Sequence, residues 1–590
     1  EAGLVAYVSL RDAATVAPVS RAAEDTERWR KAFEESYGDR AAEADPGLNL
    51  GGWTSPSTGE FVSAGEMTEW SEATFRRILS LRPQDVLEIG CRTGSLLFKL
   101  ATRCDGAYVG TDLSARALTR IRQHQDWLAT KAESVRLLER GPGDFSDLDD
   151  DAFDTVVLNS VVSYFPDLGS LERVLQDALR VVRDGGRIYL GDVRSLPLSQ
   201  ALHLSAPWGE ADPDDAASTL LEQLSRRAAA EEELAVAPEA FLDLASRLPG
   251  VTGVSLLPKL GRGRNELTLF RYDVVLHVGG QAPPDYPTVD WSGEGLTVAR
   301  LREWLAASEP APLVVTGIPD IRLNVKLAAL DLLHGGRVRT VGELTESIQP
   351  VLAAPGGPAD PAALVTAGQD AGYEVSVRFG GHGTVDLVLL PRQDVPHGPV
   401  LAAVAPAAQS PAAWTNDPVR AARIRAATPQ LRSHLQVYFP TYMIPAKFMV
   451  VDGWPLHPDG TLDRSRLPLP VTLPADAAAA QREPSTETER AIAKIWADAL
   501  GLDHIGVHDD FFSLGGHSLL GVEVVEKVRD VYEVDLPLGR LFESPTVAAA
   551  AEYIDGVQAG GDSAPKIASI KPIDRSSYRT RRARATAPAQ

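Results

Sequence analysis

Short apolar runs alternate with segments of helical period from Thr74 to about Asp192. The strand-like runs are Val86-Leu87-Glu88-Ile89, Ala107-Tyr108-Val109-Gly110, Thr155-Val156-Val157-Leu158 and Arg187-Ile188-Tyr189-Leu190. Such alternation is typical of a parallel sheet with helices on both faces. Ligands of these sheets bind at the carboxyl ends of the strands. The pattern therefore predicts an α/β, Rossmann-like domain with its site at that edge.

A different pattern begins after a Pro- and Ala-rich stretch at 471–484. Thr486 and Glu489 form a predicted capping box, and apolar residues follow at helical spacing. These residues are Ile492, Ile495, Trp496, Ala499 and Leu500. A second helix is predicted to begin at Ser518, with an apolar stripe of Leu519, Leu520, Val522 and Val525. The pattern predicts a small helical bundle over residues 485–556.

Length and charge limit the architecture and the partners. At 590 residues and 63.2 kDa the chain is too long for one core, and a prior of about 150 residues per domain predicts three or four units. The formal charge of -22 argues against a general nucleic-acid or anionic-membrane binder, because both polyanions are repelled by such a field. Small-molecule and protein partners are favoured.

Cysteine usage and the ends of the chain indicate a compartment. Cys91 and Cys104 are the only cysteines and lack metal-ligand spacing, so a reducing cytoplasm and no metal site are predicted. No apolar stretch reaches the roughly 18 residues of a membrane helix, and the acidic start at Glu1 is unlike a signal peptide. The strand-like Leu4–Val8 so close to the start predicts a piece of a longer protein.

The first predicted strand runs into a glycine-bearing turn with the features of a nucleoside site. Gly90 and Gly94 leave the backbone open to a ligand, and Asp112 ends the next strand, where a carboxylate can accept both ribose hydroxyls. Glu88 would repel a pyrophosphate and suits a cationic ligand, which favours S-adenosylmethionine over a dinucleotide. Cys91 and Leu113 complete this predicted set. The alternatives are a turn that only packs helix against strand, and a dinucleotide oxidoreductase.

Two further segments are predicted to face the same ligand. Gly143-Asp144-Phe145 could close over an adenine, with Asp144 hydrogen bonding and Phe145 stacking. The run Asn159-Ser160-Val161-Val162-Ser163-Tyr164-Phe165-Pro166 places polar groups at the end of a strand. These groups would face the reacting end of the cofactor.

Six ordered segments resemble the N-methyltransferase domain embedded in nonribosomal peptide synthetases. They are Gly65–Trp70, Glu88–Gly94, Tyr108–Asp112, Asn159–Pro166, Gly191–Leu196, and Asn265-Glu266-Leu267 with Arg271-Tyr272-Asp273. The resemblance covers about Gly51 to Gly279 and implies S-adenosylmethionine as methyl donor. The family usually has glycine where Arg92 stands and glutamine where Ser163 stands. Arg92 would obstruct the cofactor unless it turns to solvent or pairs with an acid.

The chemistry implied by this resemblance asks mainly for positioning. A sulfonium methyl is already activated, and an α-amine with a pKa near 7.7 to 8.0 is partly neutral at cellular pH. Asn159 and Tyr164 are the candidates for orienting the amine, with Asn159 also near the cofactor. Asp192 and Arg194 are further polar candidates. A structural role for each is the alternative.

The segment Asp509-Asp510-Phe511-Phe512-Ser513-Leu514-Gly515-Gly516-His517-Ser518 resembles the carrier-domain motif of the same synthetases. The resemblance implies that 4′-phosphopantetheine is esterified to Ser518. A hydrolase elbow would need glycine two positions on each side of its serine, and Leu520 excludes that pattern. A simple helix cap at Ser518 is the alternative.

Between these regions the chain resembles the small carboxy-terminal subdomain of an adenylation domain. The matching segments are Trp414–Pro418, Leu431–Leu435, Phe439–Pro445 and Asp459–Arg464. Leu4–Val8 resembles the strand just before them, which implies that the methyltransferase interrupts the subdomain. The family's lysine in the last segment is replaced by Thr461, and a hydroxyl cannot neutralise an acyl phosphate. This chain is therefore not expected to adenylate.

The predicted organisation has six parts. These are the start of an α+β adenylation subdomain (1–20), an inserted methyltransferase (21–413, with its cofactor-binding core at about 51–279 and an accessory region at 280–413), the rest of the subdomain (414–470), a linker (471–484), a four-helix carrier (485–556) and a basic tail (557–590).

The predicted function is methyl transfer to the α-amino nitrogen of an aminoacyl thioester on Ser518, in a biosynthetic pathway of the antibiotic type. The alternatives are a carrier module with an inactive methyltransferase, and side-chain methylation. Expected partners are a phosphopantetheinyl transferase, the large adenylation subdomain, other synthetase modules and a small accessory protein.

Overall fold

The structure is a computed structural model that describes the chain in several stretches. The described residues are 5–9, 30, 62–129, 134–229, 231–281, 284–348, 358–381, 383–394, 404, 414–418, 431, 434–435, 438–439, 445, 447–451, 454, 461–464, 467, 484–500, 505–507, 511, 518–532, 534, 536–537, 540–541 and 545–558. The chain divides into two compact units, the first built mainly from Glu1–Ala477 and the second from most of the chain after it.

The larger sheet of the first unit has eight strands. They are β2 (Val86–Ile89), β3 (Ala107–Asp112), β4 (Ser134–Glu139), β5 (Phe153–Asn159), β6 (Val182–Ser195), β7 (Ala235–Val236), β8 (Val251–Pro258) and β9 (Arg271–Val278). Their order is β4-β3-β2-β5-β6-β9-β8, and β7 pairs with the end of β6. Strands β4, β3, β2, β5 and β6 are parallel to one another, whereas β9 is antiparallel to both β6 and β8. All four predicted strands lie within this sheet.

Helices cover both faces of the larger sheet, as the alternation predicted. The helices are α1 (Ala64–Leu79), α2 (Leu97–Leu100), α3 (Ala115–Arg122), α4 (Gln125–Ala129), α5 (Leu168–Val181), α6 (Ser199–Glu210), α7 (Ala217–Ala229), α8 (Pro238–Arg247) and α9 (Glu266–Leu269). Leu87 and Val156 pack in a core with α5 and α8. Val86 and Val157 point to the opposite face and pack with α1, α2 and α3. Both faces are therefore buried, which explains the continuous apolar runs of these strands.

The predicted accessory region forms a second sheet with its own core. Its strands are β10 (Thr288–Asp290), β11 (Leu313–Pro319), β12 (Tyr373–Gly381) and β13 (Thr384–Pro391), in the order β10-β11-β13-β12. Its helices are α10 (Val298–Ala307), α11 (Ile321–His334), α12 (Val341–Ile348) and α13 (Pro361–Asp370). The fully buried Trp291 is the largest side chain of its core. A separate apolar cluster packs α11 and α12 against α6 and α7.

Two short strands from distant parts of the sequence pair in parallel. β1 (Val5–Val8) lies beside β14 (Lys447–Val450), and Val5 is opposite Lys447. This pairing is what an interrupted subdomain requires, although the proposed domain boundaries remain a prediction. Thr461 is described and exposed, while Asp459 and Gly460 of its segment lie outside the described residues.

The second unit contains α14 (Glu487–Leu500), nearly all of α15 (Ser518–Tyr532, from Leu520 onward) and α16 (Val547–Gln558), and Arg540 and Leu541 are helical as well. The predicted capping box is present: Thr486 Oγ1 accepts from the Glu489 amide and Glu489 Oε2 accepts from the Thr486 amide, both at 3.0 Å. Trp496 and Phe511 pack edge to face in the core.

Ser518 is the first residue of α15, as predicted. The buried positions of that helix include Val524 and Val528, whereas Leu520 and Val525 of the predicted stripe are only half-buried. Gly515 to His517 and the basic tail lie outside the described residues. Among the helices that the structure describes, none combines the length and the hydrophobicity needed to cross a bilayer.

Candidate functional site

A cavity of about 420 Å³ opens at the carboxyl ends of β2, β3 and β5, where the sequence predicted the site. Its walls come from the turns after these strands, the loop after β4 and the first half of α5. The lining residues are Ile89, Gly90, Arg92, Asp112, Leu113, Arg140, Gly141, Pro142, Gly143, Asp144, Ser160, Val161, Tyr164, Phe165, Pro166, Ser170, Arg173, Val174 and Asp177. Five predicted site residues are among them: Gly90, Asp112, Leu113, Asp144 and Tyr164.

The turn after β2 brings bare backbone to the cavity. Gly90 has a φ of +77°, and a Cβ on it would lie 2.6 Å from Cγ2 of Val161. Only glycine fits that position, because both the space and the left-handed conformation exclude a side chain. Gly94 is constrained in the same way, since its Cβ would lie 2.9 Å from the ring of Phe98. It shapes the turn without lining the cavity.

Arg92 lies in the same turn and lines the cavity. Its φ of +51° is unusual for a residue with a side chain. Its backbone amide donates to Oδ2 of Asp112 at 2.7 Å, while the amide of Ser114 donates to Oδ1 at 2.8 Å. Both oxygens of Asp112 are thus fixed in direction at the cavity wall.

Glu88 lies behind the turn and does not line the cavity. Its side chain is buried and accepts a hydrogen bond of 2.8 Å from the hydroxyl of Tyr108. Burial raises the pKa of Glu88 to about 7, despite the opposing effect of that hydrogen bond. Cys91 is also buried, and burial raises the pKa of its thiol. Phe145, predicted to stack on an adenine, instead belongs to the apolar core under α5.

The loop after β4 and one face of α5 form the opposite wall. Asp144 is exposed there, and hydrogen bonds from Ser146 lower its pKa. The sequence interpretation missed the α5 contribution of Ser170, Arg173, Val174 and Asp177. Their spacing of three, four and seven residues is that of one helix face, and this was the signal available in the sequence.

The predicted residues Asn159, Asp192 and Arg194 lie outside the cavity lining. Asn159 ends β5, and its Oδ1 is buried with no hydrogen-bond donor among the described residues. Arg194 forms ion pairs of 2.9 Å with both Glu231 and Glu233. A guanidinium held in this way supports the structure and does not face a ligand in the cavity.

Asp192 is the centre of a buried ion cluster immediately behind the cavity wall. It accepts from Nε1 of Trp70 at 3.1 Å, Oγ of Ser160 at 3.0 Å and Nη1 of Arg271 at 2.9 Å. Its own amide donates to Asp273, whose pKa of about 2 is lowered chiefly by Lys259 against the effect of burial. Of these residues, only Ser160 also lines the cavity.

This cluster explains why segments far apart in sequence belong to one pattern. Trp70 of α1 reaches Asp192 of β6, and Arg77 of α1 forms an ion pair with Asp273 of β9 at 2.5 Å. Side chains from α1, β6 and β9 therefore support the same wall. Separate segments of the resemblance thus meet in space.

The cavity fits a nucleoside that carries a positive charge. The glycine turn admits the ligand to the backbone, Asp112 offers a fixed carboxylate for hydroxyl groups, and Leu113 provides apolar surface beside them. Glu88 lies close behind the turn, and because its pKa is about 7 roughly half of it is ionised at neutral pH, a form that favours a cation over a pyrophosphate. These features suit S-adenosylmethionine.

Comparisons with known proteins agree with this geometry. Residues 87–188 match the model of a methyltransferase domain, and residues 490–554 match that of a phosphopantetheine attachment site. The chain is 37% identical to the chondramide synthase of Chondromyces crocatus over 534 residues, which are 89% of this chain and 14% of that protein.

Two further relatives match almost the whole chain. A probable non-canonical nonribosomal peptide synthetase of Salinispora arenicola is 32% identical over 93% of this chain and 7% of its own length. The beauvericin nonribosomal cyclodepsipeptide synthetase of Beauveria bassiana is 30% identical over 90% of this chain and 18% of its own length. The chain thus spans less than a fifth of each of these three relatives. Nearly the whole chain is therefore similar to a part of each of these nonribosomal peptide synthetases, and it contains a methyltransferase domain, which implies S-adenosylmethionine, and a carrier domain with a phosphopantetheine attachment site.

Proposed function

We propose that the methyltransferase domain methylates the α-amino nitrogen of an aminoacyl thioester held on the phosphopantetheine of Ser518. The observation that carries this proposal is the cavity at the strand ends, with Gly90, Asp112, Leu113 and Asp144 along its wall. The presence of a carrier domain in the same chain supports a tethered acceptor. A tether raises the effective concentration of the acceptor at the cavity.

The side chains at the cavity would position the two reactants. Asp112 would accept hydrogen bonds from ribose hydroxyls, and Asp144 and Leu113 would contact the base. Tyr164, which also lines the cavity, is a candidate for contact with the acceptor. Bound there, S-adenosylmethionine supplies a methyl group that is already activated by its sulfonium. The acceptor then needs a free lone pair in line with that group, so orientation contributes most of the rate enhancement.

A strong base is not required for this reaction. An α-amine has a pKa near 7.7 to 8.0, so a sizeable fraction is neutral at cellular pH. The new N–C bond forms as the C–S bond breaks, and the surplus proton on nitrogen leaves to water. This agrees with the ion pairs of Arg194 and the hydrogen bonds of Asp192, which commit both groups to the protein.

The tether and its partners follow from the carrier domain. Ser518 at the start of α15 is the proposed attachment site, which implies a phosphopantetheinyl transferase as a partner. The large adenylation subdomain, other synthetase modules and a small accessory protein are the other proposed partners. The parallel pairing of β1 with β14 supports an adenylation subdomain interrupted by the methyltransferase.

The direct test is to load the full chain with aminoacyl-phosphopantetheine and add S-adenosylmethionine. Intact mass should show a gain of one methyl group, and fragmentation of the released product should place it on the α-nitrogen. Ser518→Ala is the control and should show neither loading nor methylation. A methyl group on the side chain would contradict the proposed position, and no methylation of a loaded chain would contradict the proposed activity.

Arg92 favours one competing function, a carrier module whose methyltransferase is inactive. Arg92 lines the cavity where relatives of the predicted family carry glycine. Calorimetric titration with S-adenosylmethionine decides between the two. Binding by the native chain supports the enzyme, whereas binding by Arg92→Gly alone supports the inactive module.

A further inference from the structure

Ser160 connects the cavity to the ion cluster behind it. It lines the cavity, is only 3% exposed and has a φ of +55°. Its Oγ donates a hydrogen bond of 3.0 Å to Oδ2 of Asp192. The sequence interpretation included Ser160 in a polar run but gave it no role of its own.

Asp192 is held from several sides and cannot easily turn away from Ser160. Trp70 and Arg271 donate to its two oxygens, and Nζ of Lys259 lies 3.7 Å from Oδ1. Its backbone has a φ of +64° and its amide donates to Asp273. An ionised carboxylate only accepts hydrogen bonds, so the hydroxyl proton of Ser160 is committed to it.

This commitment determines what Ser160 can offer to a ligand. A hydroxyl group has one donor and two acceptor lone pairs. Nδ2 of Asn159 lies 3.4 Å from Oγ and takes one lone pair weakly. The remaining lone pair of Ser160 Oγ can accept from a ligand, because Ser160 lines the cavity. Ser160 therefore presents an acceptor and no donor.

We propose that Ser160 accepts a hydrogen bond from an amine N–H in the cavity, and that Asp192 is a positioning residue that keeps its hydroxyl group an acceptor. This inference rests on the proposed function. Two amines share the required chemistry, namely the acceptor amine of the aminoacyl group and the amino group of S-adenosylmethionine. In either case Ser160 selects for N–H and orients the nitrogen that carries it.

The backbone conformation supports a role in ligand binding. Ser160 directly follows β5, and Asp192 lies within the neighbouring strand β6. Both residues have positive φ values. The Ser160 amide donates to the carbonyl of Gly191, so the two strained residues are tied together. Strained residues of this kind persist where the surrounding structure holds them, and they cluster at ligand sites.

The variants are Ser160→Gly, which suits the positive φ and removes the hydroxymethyl side chain, and Asp192→Asn, whose amide can donate to Ser160 and so free its proton. Ser163→Ala is the control, because it removes a buried hydroxyl in the same segment from a residue that does not line the cavity. Thermal unfolding of each full chain establishes that it is folded. Calorimetry then gives the Kd of S-adenosylmethionine, and assays with a soluble aminoacyl-pantetheine thioester give kcat and KM.

The expected result is a change of about tenfold in one constant, as for the loss of one good hydrogen bond. A higher KM with an unchanged Kd for S-adenosylmethionine assigns Ser160 to the acceptor amine. A higher Kd assigns it to the amino group of the cofactor. Unchanged constants in an active Ser160→Gly chain overturn the inference and leave the proposed function standing, whereas an inactive native chain overturns the proposed function.

A second measurement distinguishes hydrogen-bond selection from a structural effect. Amide analogues of the aminoacyl-pantetheine, one with a primary amine and one N,N-dimethylated, are compared as inhibitors at pH 9, where both are largely neutral. The native chain and Ser163→Ala should prefer the primary amine. Ser160→Gly and Asp192→Asn should lose about tenfold of that preference if Ser160 binds the acceptor. If it binds the cofactor, the preference stays and only the Kd changes.

Discussion

The two larger sheets of the first unit differ in which residues adopt a left-handed backbone conformation. In the described part of residues 284–394, every residue with positive φ is a glycine: Gly295, Gly317, Gly336, Gly372, Gly381 and Gly383. Around the larger sheet, residues with side chains adopt this conformation too. Three of them, Arg92, Ser160 and Asp192, belong to the neighbouring strands β2, β5 and β6 or the turns after them.

The difference shows where the fold tolerates strain. A left-handed residue with a Cβ costs roughly 1–2 kcal/mol, and glycine avoids that cost. In the described part of the accessory region, glycine takes every left-handed position, as is possible in an element that only supports the fold. The larger sheet keeps Arg92 and Ser160 on the cavity wall and Asp192 directly behind it. Of the six such residues that the structure describes, three therefore lie on or directly behind the cavity wall, whereas Arg82, Asp147 and Asp151 do not line the cavity.

The largest effect should come from removing the central carboxylate of each sheet. Asp192→Ala removes one buried anion from Arg271 and Lys259, which keep Glu266 and Asp273 as partners, and should lower the free energy of unfolding by about 3 kcal/mol. Asp386→Ala in the accessory sheet removes a more exposed contact with Arg378 and should cost about 2 kcal/mol. Denaturant unfolding of the full chains measures both.

The transition that S-adenosylmethionine shifts identifies the unfolding of the larger sheet, because a ligand stabilises only the structure that binds it. Asp192→Ala should move this transition more than Asp386→Ala does. Equal shifts would mean that the two buried carboxylates contribute alike, and the ion cluster around Asp192 would then be no more stabilising than the contact of Asp386 in the accessory sheet.

A second prediction concerns pH and the buried Glu88. Its pKa is raised to about 7 in the folded chain, against about 4.5 when unfolded. The folded state therefore holds the proton more tightly, and the stability from this group is complete below pH 4.5 and lost as the pH rises towards 7. Glu88→Gln removes this dependence. Relative to the native chain it should gain about 3 kcal/mol between pH 4.5 and pH 8.

Tyr108→Phe provides the control for this pH dependence. The hydroxyl group of Tyr108 donates to Glu88 and holds the pKa of that carboxyl below the value that burial alone would give. Without it the loss of stability should extend to higher pH. A pH profile that is identical in the native chain and in Glu88→Gln would contradict the assignment.

The smallest effects should come from exchanging glycine and side chain at left-handed positions. Gly317→Ala has room for its methyl group, since the nearest atom would be 3.4 Å away, so its cost is the backbone conformation alone, about 1–2 kcal/mol. Arg92→Gly relieves strain of similar size but gives the unfolded chain more freedom. It should be unchanged or up to about 1 kcal/mol more stable.

Calorimetric unfolding of the two variants and the native chain measures this pair. The prediction is met if Gly317→Ala lowers the free energy of unfolding while Arg92→Gly raises it or leaves it unchanged. That result would agree with strain retained at the cavity. A clear loss of stability in Arg92→Gly would show that the arginine side chain supports the turn, and that the comparison fails at this position.

Local sequence patterns predicted the framework of the larger sheet and the turn at its edge. The strand β2 is present as predicted, and Gly90 and Asp112, which are adjacent in sequence to the features that identify them, line the cavity. The capping box at Thr486 was predictable for the same reason. Each depends on residues only a few positions apart.

The partners of the polar candidates could not be predicted in this way. Asp192 meets Trp70 and Arg271 across 122 and 79 residues, and no periodicity encodes such a contact. Phe145 looked suited to stacking because it follows Asp144, but its place in the core depends on packing against α5. The accessory region was likewise located from the sequence, whereas the strands and helices of its sheet were not predicted.

The pairing of β1 with β14 has a consequence for the order of synthesis. Val5–Val8 leaves the ribosome early but has no partner strand until Lys447–Val450 follows. Both larger sheets are encoded entirely between them, so they can fold while the first strand waits. Once folded, they shorten the distance over which the chain must still search, which lowers the entropy cost of the final closure.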